Sequence, residues 1–520
     1  VVVGGGFIGV ELAENLVERG IDCTLVELTD QIMPPFDPDM TVILEDHMRK
    51  NGVKLFLGKG IEAISEEGST VQLNDGILIQ SDMTLLCTGV RPNNELAKAA
   101  GLELGPRGHI VADQAMRTSD PAIYAVGDVI EVDEPLLGGR TAIPLAGPAN
   151  RQGRAVCANL LAEGTVEPYR GSIGTSIAKV FDLTAASTGI NEKQLQAAGL
   201  VFGRDYFYSL VHPMHHVGYY PGALPMVLKL LFHQDGRVLG AQIIGYEGVD
   251  KRIDVISTAI HFKGTVRDLA ELELAYAPPY GAAKDPVNFA GFVAENILAG
   301  LTDPVTVSHY FNNPDRYTLL DTREEVETAA NPVKDALKIP LSQLRQRLGE
   351  LDKGIHYLTF CATGLRGYVS ERILKQQGFT VSNLMGGLRT MDTLMRKAAN
   401  ENEEIERDEA VSAQYQAGFA NELSRIHDLD VGGMSCPGPI VEIGKFIKEL
   451  EDGEFVRVRA TDPGFSRDIA SWCENTGNTL LKRGEKAGVY TALVQKGERA
   501  LSPAASGFVS SGDPTGKDKT

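Results

Sequence analysis

The chain opens with a glycine-rich turn between a strand and a helix, and this turn restricts the fold more than any other feature. Residues 1–3 are three valines typical of a buried strand, and VELAENLVERG carries helical periodicity; between them, a G-x-G-x-x-G pattern is formed by Gly4, Gly6 and Gly9. Such a turn is tight and lets the backbone approach a pyrophosphate at the helix N-terminus. Glu27 ends the next strand, where a carboxylate can bind ribose hydroxyls. The pattern predicts dinucleotide binding, with a simple helix–strand packing turn as the alternative.

Two later stretches, SDMTLLCTGVRPNNEL and RTSDPAIYAVGDV, resemble the pyridine nucleotide–disulfide oxidoreductases, which bind FAD and NAD(P)H on two related domains. The resemblance implies that Asp128, beside Gly127, holds the ribityl chain of the flavin; a simple turn aspartate is the alternative. It also implies that Glu11 lies near the nicotinamide and that a helix beginning near Gly147 points its positive end at the flavin ring. The charge of Glu27 would repel a 2′-phosphate, which favours NADH over NADPH.

The family resemblance also predicts that part of the flavin-binding region is missing from this sequence. In the family, a first G-x-G-x-x-G and a redox cysteine precede the NADH motif, and neither is found here. We therefore expect a chain that binds NADH but holds FAD weakly. The Ser/Gly/Pro/Ala-rich residues 498–520 predict a flexible tail and a cut C-terminus.

The stretches HHVGYYPGALP and YAPPYGAAKDPVNFAG resemble the coenzyme A disulfide reductase and polysulfide reductase group. In that group, tyrosines from these stretches approach the thiol substrate of the partner subunit. The resemblance implies that Tyr220 (or Tyr219) and Tyr280 act as general acids toward a leaving thiolate. Tyrosines that only form a dimer interface are the alternative. The histidines of HPMHH lack a further ligand at recognised spacing, so we expect no metal site.

A second catalytic pattern follows residue 304. YTLLDTREEVE predicts a strand that ends in Asp321 and Arg323, and HYLTFCATGLRGYVSERILKQQGF predicts a strand, a short loop from Cys361 to Arg366, and a helix. A loop at a helix N-terminus aims backbone N–H groups at the sulfur and stabilises an anionic thiolate or persulfide. The pattern, with VSNLMGGLRT, resembles a rhodanese domain, which implies that Cys361 carries sulfane sulfur and Arg366 holds the loop or the donor. An unreactive buried cysteine is the alternative.

A third candidate thiol, Cys436, lies in a C-P-x-P motif within HDLDVGGMSCPGPIVEIGKFIKEL. Proline suits the first helical turn, and its fixed φ would present the thiol at the positive end of the helix dipole. With TDPGFSRDIASWCENTGNTLLKRG, the region resembles the small sulfur-carrier domains (TusA/SirA-like) of sulfurtransferase relays. The resemblance implies a carrier role for Cys436, against an inert helix-capping cysteine. Cys473, beside Trp472 in a helical pattern, is predicted to be a core residue.

These segments predict an α/β multidomain chain. We expect a Rossmann-like NAD domain at 1–80, a remnant of an FAD domain at 81–165, an α+β dimerisation domain at 166–301, an α/β rhodanese domain at 305–397, a helical linker at 398–425, a two-layer α/β carrier domain at 426–497 and a tail at 498–520. Fifty basic against 69 acidic residues give a net charge of −19, which argues against nucleic acid or an anionic membrane as partner. Six dispersed cysteines favour a reducing, cytoplasmic compartment; Cys23, Cys87 and Cys157 are predicted to pack in the interior.

Together the motifs predict an FAD- and NADH-dependent reductase of coenzyme A disulfide, coenzyme A persulfide or polysulfide. The resemblance implies a homodimer. Cys361 would accept a sulfane sulfur and Cys436 would relay it to or from other sulfur-relay proteins, in either direction. Two alternatives stay open: a sulfurtransferase whose reductase half is only a dimerising scaffold, and an NADH oxidase that reduces oxygen.

Overall fold

The computed structural model describes residues 1–65, 68–161, 168–398, 426–434, 437–486 and 488–497. These residues form the mixed α/β chain that the sequence predicts, in two compact units. The first unit contains Val1–Ser209, Val227–Glu273 and Val287–Leu298, and the second contains Leu210–Met226, Leu274–Pro286 and the described residues from Ala299 onward. The predicted linker beyond residue 398 and the predicted tail lie outside the described residues. None of the described helices combines the length and the apolar character needed to cross a membrane.

The first segment contains a parallel sheet whose strands are short and whose central strand is the buried pair Val2–Val3. The elements in chain order are β1 (Val2–Val3), α1 (Phe7–Glu18), β2 (Thr24–Val26), α2 (Pro38–Lys50), β3 (Lys54–Phe56), β4 (Ile61–Ile64), β5 (Thr70–Leu73), β6 (Leu78–Gln80), β7 (Leu85–Leu86), α3 (Glu95–Ala99), β8 (Ile110–Val111), β9 (Ile130–Asp133), β10 (Arg140–Thr141) and α4 (Ala146–Leu161). The parallel sheet has the order β3-β2-β1-β7, which places the glycine-rich turn after its central strand β1. Two smaller sheets have the orders β4-β5-β6 and β10-β9-β8.

The next segment is an α+β arrangement around a five-stranded sheet of order β11-β12-β15-β14-β13. Its elements are β11 (Ser176–Val180), β12 (Leu183–Gly189), α5 (Glu192–Ala197), β13 (Tyr206–Val211), β14 (Met226–His233), β15 (Val238–Gly245), α6 (Val249–His261), α7 (Val266–Glu271) and α8 (Pro286–Leu298). Every residue of β15 is buried, because helix α6 covers the central strands. Long apolar strands such as VLGAQIIG are typical of strands that are covered on both faces.

The third segment has a parallel sheet of order β16-β20-β19-β17-β18, with apolar clusters on both sides. It contains β16 (Pro304–Val305), α9 (Val307–Asn312), β17 (Thr318–Asp321), α10 (Glu325–Ala330), β18 (Leu337–Lys338), β19 (His356–Phe360), α11 (Leu365–Gln376), β20 (Thr380–Leu384) and α12 (Gly387–Ala398), with 3-10 turns at Pro314–Arg316 and Leu348–Glu350. Ligand sites on such sheets form at the carboxyl ends of the strands, which is where Cys361 follows β19.

The fourth segment is a two-layer domain in which two helices cover one face of a sheet of order β21-β22-β24-β23. Its elements are β21 (Ile426–Asp430), α13 (Gly438–Glu449), β22 (Phe455–Ala460), α14 (Phe465–Thr476), β23 (Thr479–Lys486) and β24 (Val489–Gln495). Strand β22 alternates as its sequence FVRVRA predicts, with Val458 in the core and Arg457 exposed. The single tryptophan of the chain, Trp472 on α14, lies in this core.

Candidate functional site

The glycine-rich turn after β1 has the close backbone approaches that a dinucleotide-binding turn requires. Gly4 has a φ of 110°, and a side chain there would overlap the carbonyl oxygen of Cys87. A side chain at Gly9 would likewise overlap the carbonyl oxygen of Gly4. Gly6, the N-cap of α1, has open space on its outer side and no capping side chain. The free N–H groups of this helix end fit a pyrophosphate.

Glu27 lies directly after β2 and beside this turn. Its Oε2 accepts a hydrogen bond from the Gly5 N–H at 2.6 Å, and its Oε1 accepts from the N–H and hydroxyl of Thr29 at 2.8 and 2.9 Å. These bonds hold the carboxylate at the edge of the turn. The position fits an acid that accepts hydrogen bonds from ribose hydroxyls.

A cavity in the first unit brings together two predicted cofactor residues that are far apart in sequence. Glu11 on α1 and Gly147 at the start of α4 both line it, together with residues of α6. Helix α4 begins at Ala146, so its N-terminal N–H groups lie at this cavity. Asp128 is exposed in the preceding turn, which is fastened to α4 because the Gly127 N–H donates to Gln152 Oε1 at 2.7 Å. This arrangement fits a nicotinamide and a flavin ring meeting between α1 and α4.

The two tyrosine-bearing stretches lie side by side in the second unit. The Val217 N–H donates to the Gly281 carbonyl oxygen at 2.9 Å, and the hydroxyls of Tyr219 and Tyr276 lie 3.0 Å apart. The hydrogen bond from Tyr219 raises the pKa of Tyr276 above its usual value. Tyr220 is 40% exposed and Tyr280 is 73% exposed, which leaves both side chains accessible. Tyr276 was not predicted, although it lies in the quoted stretch YAPPY.

The histidines of the first tyrosine stretch contact protein groups. His216 Nδ1 lies 2.9 Å from the Val217 carbonyl oxygen, and its ring packs edge-on against Tyr220. Within the described ranges, no cluster of three or more His, Cys, Asp or Glu side chains is arranged to hold a metal ion.

Cys361 follows β19 and is only 1% exposed. Its Sγ accepts a hydrogen bond from the Gly364 N–H at 3.2 Å, immediately before α11 begins at Leu365. The chain after β20 closes the loop from the other side: the Leu388 N–H donates to the Cys361 carbonyl oxygen at 2.8 Å, and the Arg389 N–H donates to that of Ala362 at 2.9 Å. The loop therefore holds the sulfur at the N-terminus of a helix, a favourable position for an anion.

Arg366 in this loop is held by a carboxylate that the sequence analysis did not single out. Its Nη1 and Nη2 donate to Glu327 Oε2 and Oε1 at 2.6 and 2.7 Å, a two-point ion pair. Glu327 lies on α10, and its side chain is only 1% exposed. Asp321 and Arg323 form a separate buried pair, with Arg323 Nη2 2.6 Å from Asp321 Oδ2. Arg366 thus positions the loop, while the Asp321–Arg323 pair fixes the end of β17.

Of the remaining cysteines, Cys436 lies outside the described residues; helix α13 begins just beyond it, at Gly438. Cys473 is buried, and burial raises its pKa to about 12, in agreement with the predicted core position. Cys23 is buried as expected, and Cys87 is partly buried. The prediction for Cys157 was wrong: it is exposed on α4, because a different face of that helix is buried.

Four family models match the chain in succession. Residues 1–153 match the pyridine nucleotide-disulphide oxidoreductase model, and residues 175–285 match the dimerisation domain of the same family. Residues 307–391 match the rhodanese-like domain, and residues 427–496 match the sulfurtransferase TusA model. The four matches follow the four folded segments described above.

Two solved structures resemble the chain over most of its length. The reduced CoADR-RHD of Bacillus anthracis is 46% identical, with a TM-score of 0.73 over 76% of this chain and 71% of that one. The NAD-dependent persulfide reductase of A. fulgidus is 39% identical, with a TM-score of 0.68 over 75% of this chain and 71% of that one.

Two curated relatives match a little over half of the chain. The NADH oxidase of Methanocaldococcus jannaschii is 37% identical over 306 residues, which are 58% of this chain. The coenzyme A disulfide reductase of Staphylococcus aureus is 34% identical over 295 residues, which are 56% of this chain. The chain spans 66% and 65% of the lengths of these two relatives.

Proposed function

The chain belongs to the pyridine nucleotide-disulphide oxidoreductase family, and on that premise we propose that it is part of an NADH-dependent reductase of sulfur–sulfur bonds linked to sulfane-sulfur transfer. Its substrates would be coenzyme A disulfide, coenzyme A persulfide or polysulfide. The relatives named coenzyme A disulfide reductase and persulfide reductase support this substrate class. The match to a dimerisation domain supports a homodimer.

NADH would bind with its pyrophosphate at Gly6 and the N-terminus of α1. Glu27 would accept hydrogen bonds from the ribose, and its negative charge would disfavour NADPH. Glu11 would lie beside the nicotinamide. FAD would be held by the turn at Gly127 and Asp128 and by the start of α4; when bound, it supplies a two-electron carrier between NADH and a sulfur–sulfur bond.

The observation that carries the sulfur-transfer half is the bond from the Gly364 N–H to Cys361 Sγ at the start of α11. A thiolate at this position can attack a sulfane sulfur, and the Gly364 N–H with the positive end of α11 can hold the resulting persulfide anion. Arg366 would keep the loop in shape through Glu327. Cys436 would exchange sulfur with Cys361 by thiolate attack on the outer sulfur of the persulfide, and Tyr220 and Tyr280 would protonate leaving thiolates.

Transfer of sulfur from thiosulfate to cyanide tests the role of Cys361. We expect Cys361→Ser to abolish this activity while NADH affinity, measured by fluorescence titration, stays unchanged. Cys473→Ser is the matched control, because Cys473 is a core thiol that has no role in the proposed transfer. Full activity of Cys361→Ser would remove Cys361 from the reaction.

Mass spectrometry tests the role of Cys436. After the chain is incubated with a sulfane-sulfur donor, the peptide that contains Cys436 should gain 32 Da, about the mass of one sulfur atom that completes a persulfide. A peptide that stays unmodified while Cys361 is loaded would contradict the relay.

A further inference from the structure

The rhodanese-like and carrier segments of the second unit share an interface with charged and apolar parts. Helix α10 of the rhodanese-like segment packs against α14 of the carrier, and Ala330 is buried within the carrier core beside Val326. The Asn475 side-chain amide donates to the Ala329 carbonyl oxygen at 2.7 Å. An apolar residue of one segment that is buried in the core of another is typical of a specific, well-packed interface.

Two ion pairs flank this contact. Arg389 Nη2 lies 2.6 Å from Asp462 Oδ2, and Arg467 Nη2 lies 2.6 Å from Asp392 Oδ2. Each pair joins one residue from α12 of the rhodanese-like segment to one carrier residue, and the charges are crossed, with an arginine on each side. Crossed charges fix the orientation of two surfaces, because a rotated arrangement would bring like charges together.

The interface is connected directly to the Cys361 loop. The backbone of Arg389 donates to Ala362 beside Cys361, while the side chain of the same residue holds Asp462 of the carrier. Helix α10 binds Arg366 through Glu327 and presents Ala330 to the carrier. The elements that shape the sulfur loop are therefore the elements that hold the carrier.

A third contact lies at the tyrosine loop. The backbones of Gly218 and Gly433 approach so closely that a methyl group on either residue would overlap the carbonyl oxygen of the other. Gly218 directly precedes Tyr219, and Gly433 lies three positions before Cys436 in the sequence. The carrier segment that leads to Cys436 thus lies against the loop that carries the predicted thiol-site tyrosines.

From these three contacts we propose that the carrier domain docks on the rhodanese-like domain of its own chain, so that Cys361 and Cys436 exchange sulfur within one chain. This deepens the proposed sulfur relay and rests on it. The Cys436 thiolate attacks the outer sulfur of the Cys361 persulfide; the sulfur–sulfur bond to Cys361 breaks, and Cys361 leaves as a thiolate. One persulfide and one thiolate are present before and after the step, so no oxidant or reductant is needed.

The pair Arg467–Asp392 gives the sharpest test, because it crosses the interface and neither residue belongs to the loop from Cys361 to Arg366. Cys361 is loaded with one sulfur from thiosulfate, excess donor is removed, and arrival of sulfur at Cys436 is followed by mass spectrometry. We expect Arg467→Asp to slow this transfer about tenfold, because it places like charges together at the interface. Adding Asp392→Arg to Arg467→Asp should restore most of the rate.

The matched control is Arg457→Asp, which makes the same charge change on the exposed face of strand β22, where Arg457 pairs with Asp428 of the carrier itself. Its transfer rate should equal that of the unaltered chain. Thiosulfate:cyanide transfer by Cys361 should be unchanged in Arg467→Asp, which shows that the rhodanese-like domain of the variant is folded. Equal Cys361-to-Cys436 rates in all of these proteins would overturn the docking proposal.

Gly218→Ala probes the third contact independently. Gly218 does not have a positive φ, and the atoms that an added methyl group would meet belong to Gly433 of the carrier segment. Gly349→Ala is the matched control, because Gly349 has open space around it. We expect Gly218→Ala, and not Gly349→Ala, to slow transfer about tenfold and to raise backbone hydrogen exchange at residues 426–434. Unchanged exchange in Gly218→Ala would overturn this contact.

Two further measurements distinguish the proposal that the carrier domain docks within its own chain from the proposal that sulfur is transferred to Cys436. Transfer within one chain has a half-time that does not depend on protein concentration, so a rate that rises in proportion to concentration would overturn the proposal. If sulfur never reaches Cys436 in the unaltered chain, the relay fails. In that case hydrogen exchange along α14 still tests whether the carrier domain docks. If the interface exists, Arg467→Asp must raise the rate of backbone hydrogen exchange in this helix.

Discussion

The guanidinium of Arg366 donates two hydrogen bonds, of 2.6 and 2.7 Å, to the buried carboxylate of Glu327. This pair joins the loop that holds Cys361 to the short helix α10. The rhodanese-like pattern predicted an arginine at the end of the loop, and the structure shows what holds it. The shape of the sulfur loop therefore depends on α10 as much as on the loop sequence.

Removing Arg366 should destabilise the rhodanese-like domain as well as slow its reaction. Arg366→Ala leaves the Glu327 carboxylate buried without its main cationic partner, which costs about 3 kcal/mol of unfolding free energy. We expect the temperature at which half of the thiosulfate:cyanide activity survives to fall by about 12–24 °C, because a loss of 1 kcal/mol lowers the melting temperature of a domain of this size by about 4–8 °C. Arg347→Ala is the control, because its pair with Glu350 is exposed and contributes little to the free energy of unfolding. Equal losses in both variants would contradict this role for the Arg366–Glu327 pair.

Glu27 should set both the affinity for NADH and the preference over NADPH. Glu27→Ala removes the proposed ribose acceptor and the charge that would repel a 2′-phosphate, so we expect NADH to bind about tenfold more weakly, a loss of ~1.4 kcal/mol. NADPH affinity should stay the same or rise. Both are measured by fluorescence titration, with Glu18→Ala, an exposed change on α1, as the control. An equal loss of affinity for both nucleotides would show that Glu27 only supports the turn.

Alkylation should distinguish two cysteines that the sequence analysis treated alike. Burial raises the pKa of Cys473 to about 12, so at pH 8 only about one in ten thousand of these thiols is ionised. Cys157 is exposed on α4. We expect iodoacetamide to modify Cys157 in the native chain and to reach Cys473 only after unfolding, as peptide mass spectrometry can follow. Rapid native labelling of Cys473 would mean that the carrier core opens.

Local patterns were sufficient to predict several elements that surround the candidate reactive groups. The glycine turn after β1, the strand–loop–helix around Cys361 and the two-layer carrier all depend on residues close together in sequence, where periodicity and turn chemistry act. Glu327 could not be found in this way. It lies 39 residues from Arg366, and nothing in EEVE distinguishes the glutamate that turns inward from its neighbours.

The same limit applies to the contacts between segments. Gly218 and Gly433 each lie in a loop whose local sequence gives no sign of a contact with the other. The folded chain shows that the two backbones touch. Cys157 illustrates the opposite error: an apolar residue type in a helical pattern was taken as buried, whereas the orientation of α4 leaves it exposed. Packing between distant segments determines both the contact between Gly218 and Gly433 and the exposure of Cys157. Local sequence patterns do not show such packing.

Asp468 on α14 should give the carrier domain an unusual pH dependence. Burial raises the pKa of this carboxyl to about 6, against the attraction of Arg467 and with added repulsion from Asp462. When the pKa of an acid is higher in the folded state than in the unfolded state, the free energy of unfolding is greatest at low pH, where both states are protonated. It falls as the pH rises from the unfolded-state pKa through the folded-state pKa, because the unfolded state loses its proton more readily. The loss is on the order of 3 kcal/mol between about pH 4 and pH 6.

Asp468→Asn removes the titration while keeping the size of the side chain. We expect the variant to unfold at a higher urea concentration than the unaltered chain at pH 7.5 and at a similar one at pH 4, so that its stability changes less across this range. Fluorescence of the single tryptophan, Trp472, reports unfolding of the carrier domain specifically. Asp428→Asn, on the exposed face of the sheet, is the control and should change stability by less than about 1 kcal/mol. If Asp468→Asn keeps the pH dependence of the unaltered chain, the ionised Asp468 is stabilised at neutral pH by its arginine neighbours, and burial does not control its charge.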